Sequence, residues 1–176
     1  MEVSMPLFVI GIKDKAPQKD ENLVKKHIAI EILLNMIIGK SSKLYKELYE
    51  NELLISEPYL EYEFADNYAH IAVSGASKSP DTVLQKFIEE IENIKNNGIN
   101  KEDFERIKNM LYGNAVKEFN SVSNIARMFI ADYFKGVNSF DYIEEYKQIT
   151  EEYTIQILKE VFLEDKTIIS IIKNNK

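Results

Sequence analysis

Residues 57–75, EPYLEYEFADNYAHIAVSG, decide how this chain is read. Leu60, Tyr62 and Phe64 fall on one side of an alternation, and Tyr59, Glu61 and Glu63 on the other. Ala65-Asp66-Asn67 interrupts it, and the pattern resumes with Ala69, Ile71 and Val73 on one face. A period of two is that of extended backbone, whose successive side chains point to opposite faces. The stretch therefore predicts an antiparallel hairpin with one apolar and one wetter side.

Towards the N-terminus, MIIGKSSKLYKELYENELL (residues 36–54) joins two helical patterns. A helix is expected from about Asp20 to Ile38, apolar on more than one side and therefore buried on more than one side. Gly39 stands where a helix C′ glycine belongs. Ser41 or Ser42 can accept from the first free N–H groups of the next helix. Gly-Lys-Ser within GKSS suggests a phosphate loop, but the first glycine of that motif is missing, because position 34 is Leu inside a helix. Ahead of both helices, PLFVIGIK (residues 6–13) is a short apolar run that reads as a buried strand.

Towards the C-terminus, Ser79-Pro80-Asp81 starts a helix with a cap, a proline in its first turn and an acid at the positive end of the dipole. Val83, Leu84, Phe87, Ile88, Ile91 and Ile94 form its apolar stripe, and Asn96-Asn97-Gly98 ends it. Asn100 caps the next helix, with Asp103 in the capping-box place and Phe104, Ile107, Leu111, Ala115 and Phe119 as its stripe. A further helix runs to Lys135, Ser139 and Thr150 are expected to start two short ones, and KTIISIIK closes with a strand. The order predicts an α+β two-layer sandwich: a mostly antiparallel sheet with helices on one face, over residues 1–176 as a single domain.

A formal charge of −7 without a basic cluster argues against nucleic acid, whose affinity rests on phosphate neutralisation. No apolar run approaches the ~18 residues that span a bilayer, and MEVSMPLFVIG lacks a basic n-region. The absence of cysteine removes thiol chemistry and fits a reducing compartment. A cytoplasmic protein that binds neither nucleic acid nor membrane is expected.

Chemistry-bearing groups are sparse. His27 and Glu31 share a helical face and could hold zinc with a third ligand. A plain surface pair is the simpler reading, and no metal is expected in this chain. Glu61 and Glu63 share a strand face, where paired carboxylates can do acid–base work if their environments differ. A solvated strand face is the simpler alternative. The ten tyrosines are expected mostly at core or boundary positions. Arg106 and Arg127 are expected to cap and pair at the surface. No self-sufficient active site is expected, and a nucleophilic serine would need an oriented base that is not evident.

GKSSKLYKELY (residues 39–49) resembles a recurring segment of the pitrilysin/insulinase-type zinc metallopeptidase family. PLFVIGIKDK, HIAVSGASKSPDTV, NNGINKEDFERIKNMLYGN and ITEEYTIQILKEVF…TIISIIK agree with it in order and spacing. The similarity is greatest to the bacterial, mitochondrial-processing-peptidase-like branch. It implies tandem α/β repeats of roughly 200 residues. A first repeat carries His-x-x-Glu-His and a distal Glu. A later, non-catalytic repeat closes the chamber and helps hold the substrate. This chain resembles the later, C-terminal repeat. Its implied partners are the catalytic repeat of the same protein or a paired homologous subunit, and peptide substrate. Zinc is implied in the partner repeat, not here, and a dimer is one expected state. The Arg–Tyr pair by which some later repeats reach the substrate falls on Tyr49 and Ser56, so that role is not carried over. Tyr49, Tyr59 and Glu61 are the candidate substrate-lining residues. The competing expectations are a free-standing interaction or scaffold module of the same fold, and an unrelated hydrolase using Glu61 and Glu63.

Overall fold

The computed structural model of the chain describes residues 5–18 and 22–173. Four strands form one antiparallel sheet in the order β2-β3-β1-β4, from β1 (Leu7–Asp14), β2 (Tyr59–Ala65), β3 (Tyr68–Ala76) and β4 (Thr167–Ile172). The helices are α1 (Leu23–Ile37), α2 (Lys43–Glu50), α3 (Pro80–Asn97), α4 (Lys101–Glu118), α5 (Val122–Phe134), α6 (Asp141–Gln148) and α7 (Glu151–Val161). This is the α+β fold expected, with the hairpin as β2 and β3.

Strand parity sets the layers. Phe8, Ile10, Ile12 and Asp14 of β1 are buried, whereas Leu7 and Val9 are exposed on the opposite face. The register places Ile10 between Val73 and Ile169, so the inward residues of three strands form one apolar row. Leu60 extends it across β2, and Tyr62 and Phe64 bury the adjoining inward positions opposite Ile71 and Ala69. Phe8 lies opposite Gly75, where an added Cβ would sit 3.1 Å from the phenyl ring. That glycine is there to admit the ring, not to bend the chain.

The helical layer is organised around α1, whose buried residues include Val24, Ile28, Leu33 and Ile37 and point in several directions. It packs against α7, α6, α4 and β2, which explains an apolar pattern too broad for one face. The expected start at Asp20 lies outside the described residues. Within them the helix begins at Leu23, where the Asn22 side chain accepts from the Lys25 N–H.

Gly39 departs from expectation in its reason. Its φ is not among the positive values, which among the described residues belong to Gly98, Gly136 and Glu52. A Cβ at Gly39 would instead meet the Asn35 Cα and carbonyl oxygen at 2.7 Å. The joint between α1 and α2 is closed so tightly that only hydrogen fits. Ser42, not Ser41, caps α2 by accepting from the Tyr45 N–H at 3.0 Å. Ser41 is exposed and accepts from Arg106. Ser42→Ala is expected to lower stability by about 1 kcal/mol. Ser41→Ala should stay within about 0.5 kcal/mol, and urea denaturation distinguishes the two.

Two local expectations are revised. Ser139 does not start α6. Its side chain is buried and donates to Asp132, while Asn138 accepts from the Phe140 N–H. The Ser79 hydroxyl contacts that of Thr82 instead of capping α3. Most tyrosines sit at core or boundary positions as expected, Tyr62 and Tyr146 buried and Tyr45, Tyr112, Tyr142 and Tyr153 half-buried, while Tyr49, Tyr59, Tyr68 and Tyr133 are exposed.

Candidate functional site: the open sheet face

Among the described residues the helices that contact the sheet bury the side of Phe8, Ile10 and Ile12, and the other face is left open. On the edge strand β2, the two-residue period turns Tyr59, Glu61 and Glu63 to that face, and Tyr59 is 64% exposed. The register sets Glu61 opposite Ala72 and Tyr59 opposite Ser74, small neighbours that leave both side chains accessible. Further along, Leu7, Val9, Ile168 and Ile172 make the same face apolar. It therefore carries carboxylates at β2, Lys13 and His70 beside Glu63 near the β2–β3 turn, and aliphatic side chains at the far end of β1 and along β4.

Of the three candidate lining residues, the structure brings Tyr59 and Glu61 together and leaves Tyr49 apart. Tyr49 stacks on Tyr45 of its own helix at 5.8 Å. Among the described residues no hydrogen bond, ion pair or ring contact joins it to Tyr59 or Glu61. The two glutamates also differ: Glu63 is held by Lys135 at 2.8 Å, whereas Glu61 has no such cation among the described residues. Lys135 caps the end of α5 and its ammonium lies 5.1 Å from the Phe64 ring centre, which ties α5 to the edge of the sheet.

The second candidate, His27 with Glu31, lies beneath the sheet edge beside a cavity of about 370 Å³ between α1, α4, α5 and α6. His27 Nδ1 is 2.7 Å from the Tyr142 hydroxyl. Its ring packs 5.7 Å from those of Tyr62 and Phe64. Nε2 stands 3.8 Å from Glu31, too far for a hydrogen bond. Glu31 accepts from Tyr146, and Asp132 from Ser139. Each polar group is thus engaged by α6 or by the turn that precedes it. Among the described residues no group of three His, Cys, Asp or Glu side chains is placed to hold a metal ion. A zinc site does not fit these residues, since His27 and Glu31 lack a third ligand and are committed to tyrosine hydroxyls.

Burial pushes the His27 pKa below its ordinary value, with Lys135 acting in the same sense and Glu31, Asp132 and Glu63 opposing. Burial also pushes Tyr142 and Tyr146 upward, helped by the carboxylates of Asp132 and Glu31. The tyrosines stay protonated, as hydrogen-bonded structural groups. His27 binds fewer protons folded than unfolded, so its contribution is present above the unfolded pKa of about 6.5 and is lost as pH falls through the lowered folded value. Relative to His27→Gln, the native chain should lose stability below pH 6.5 at up to about 1.4 kcal/mol per pH unit. Urea midpoints of both proteins across that range check it.

A chain of this architecture, with an open sheet face and no metal-holding set among the described residues, belongs to the peptidase M16 inactive-domain family, whose model matches residues 15–111, more than half of its length. A zinc protease of Bacillus subtilis, YmfH, is 26% identical over 167 residues, taking in 94% of this chain and 39% of that protein. An M16-like peptidase structure from Alicyclobacillus acidocaldarius superposes with a TM-score of 0.90 at 20% identity, covering 98% of this chain and 42% of that one. An inactive peptidase domain of a zinc protease from Bordetella parapertussis superposes at 0.79 with 10% identity, covering 100% of this chain and 95% of that one. The chain thus spans about two fifths of the length of the first two relatives. This agrees with the resemblance of the sequence to a non-catalytic zinc-metallopeptidase repeat.

Proposed function

We propose that this chain is the non-catalytic wall of a peptidase chamber, placed beside a zinc-bearing repeat that lies outside it and supplies the hydrolysis. The observation that carries this reading is the one-sided sheet. An open face of aliphatic side chains bordered by Tyr59 and Glu61 suits an extended peptide, whose side chains alternate between apolar contact and solvent. Tyr49, on α2, is kept as an outlying lining residue. The charge of −7 favours basic peptides through encounter rate more than through affinity. A reducing, cytoplasmic location remains part of the proposal, resting on the absence of cysteine.

The test mixes this chain with the zinc-bearing repeat of the same protein and follows cleavage of a fluorogenic basic peptide. Cleavage is expected to need both parts. Glu61→Gln should raise KM several-fold at low salt, the difference fading near 1 M as the screening length shrinks to about 3 Å. Cleavage that does not depend on this chain would leave the free-standing scaffold as the better reading. Activity of this chain alone, abolished by Glu61→Gln and Glu63→Gln, would favour the hydrolase.

A further inference from the structure

The two edges of the sheet differ in a way that the chamber reading does not use. The β2 edge is blunted by charge, with Glu61 and Glu63 in the strand and Lys135 reaching over to Glu63. The β4 edge is bare: Thr167–Ile172 carries no charged side chain, and Ile168 and Ile172 are 71% and 50% exposed. Among the described residues no strand pairs with its outer side. An uncharged edge with open backbone donors and acceptors is a template for another strand.

The sequence of that edge identifies the strand that fits. Residues 168–172, Ile-Ile-Ser-Ile-Ile, read the same in both directions about Ser170. We propose that β4 pairs antiparallel with β4 of a second copy of this chain, with the two-fold axis passing beside Ser170. Side chains directly opposite in such a pair must lie on the same face, so the axis must pass a residue and not the space between two. With the axis at Ser170, Ile168 meets Ile172 on the open face, Ile169 meets Ile171 on the helical face, and Ser170 meets its own copy. Lys173 lies opposite Thr167, so no like charges oppose one another there. Moving the axis one residue to Ile169 sets Lys166 against Ile172, and moving it to Ile171 sets Lys173 against Ile169. The central register is therefore the one that matches like with like. The interface is isologous, as a two-fold dimer requires, and merges two four-stranded sheets into one of eight. The axis is perpendicular to the sheet, so both open faces stay uncovered, and the dimer does not depend on the chamber reading.

The chain has no cysteine, so single introduced thiols report the geometry directly. Ser170→Cys should be cross-linked to a covalent dimer by a short bis-maleimide. Ile168→Cys should not, because its counterpart in the second copy lies four residues along the strand, about 13 Å away. Ser170→Lys and Ser170→Glu each place like charges on the axis at an exposed position that does not disturb the fold, as circular dichroism can check. Each alone should weaken dimerisation at least about tenfold in sedimentation equilibrium, and an equimolar mixture should restore it. A native chain that stays monomeric at about 100 μM, a concentration at which even weak interfaces associate, overturns the proposal. So does equal cross-linking of the two thiol variants, or no recovery in the mixture.

Discussion

Asp14→Ala is expected to destabilise the chain by about 3–5 kcal/mol, as removal of one member of a buried ion pair does. Asp14 ends β1 on its inward side and accepts from Lys26 and from the Tyr62 hydroxyl, each at 2.8 Å. The Asp14 and Lys26 side chains are only 5% and 7% exposed. Alanine would take this carboxylate from a buried ammonium and leave the tyrosine hydroxyl without this acceptor, in a setting where water replaces neither. The pair itself need not be a net stabiliser, because both charges were desolvated to form it. Asp14→Leu combined with Lys26→Met should therefore recover most of the loss. Chemical denaturation of the two variants separates these effects. A loss below 1 kcal/mol for Asp14→Ala would mean that water or a rearranged neighbour replaces the carboxylate.

Phe87→Ala should cost a similar 3–5 kcal/mol, through the lost transfer of the ring and the cavity left behind. Phe87 is fully buried at the centre of the α3 stripe, where that helix meets β1, β4, α2 and α7. Phe134→Ala makes the informative contrast. The same deletion at a side chain 76% exposed at the end of α5 should stay within about 0.5 kcal/mol. Thermal or urea unfolding of the isolated chain measures both. A large loss at Phe134 would show that α5 packs more tightly than its exposed Val122, Ile130 and Tyr133 suggest.

The candidate site was legible where it depends on one element. Alternation alone placed Tyr59, Glu61 and Glu63 on the wetter face of β2. The His27–Glu31 spacing was equally visible, but its partners Tyr142 and Tyr146 come from α6, more than a hundred residues away, and no local pattern points to them. Asp14 could have been noticed as a carboxylate on the inward parity of Phe8, Ile10 and Ile12. What the parity could not supply was its partner.

The sequence by itself determined the order of the elements, the faces of the strands and most helix starts, because period and capping act over a few residues. Asn100 and Thr150 cap α4 and α7 as expected for that reason. Tertiary structure decided which of two serines caps α2, why Gly39 must be glycine, that Tyr49 stands apart from Tyr59 and Glu61, and that Asp14 pairs with Lys26 and accepts from Tyr62. Those outcomes depend on the strand order β2-β3-β1-β4 and on helices packed across it. Groups 48 residues apart, such as Asp14 and Tyr62, become neighbours only once β3 lies between their strands and α1 covers them.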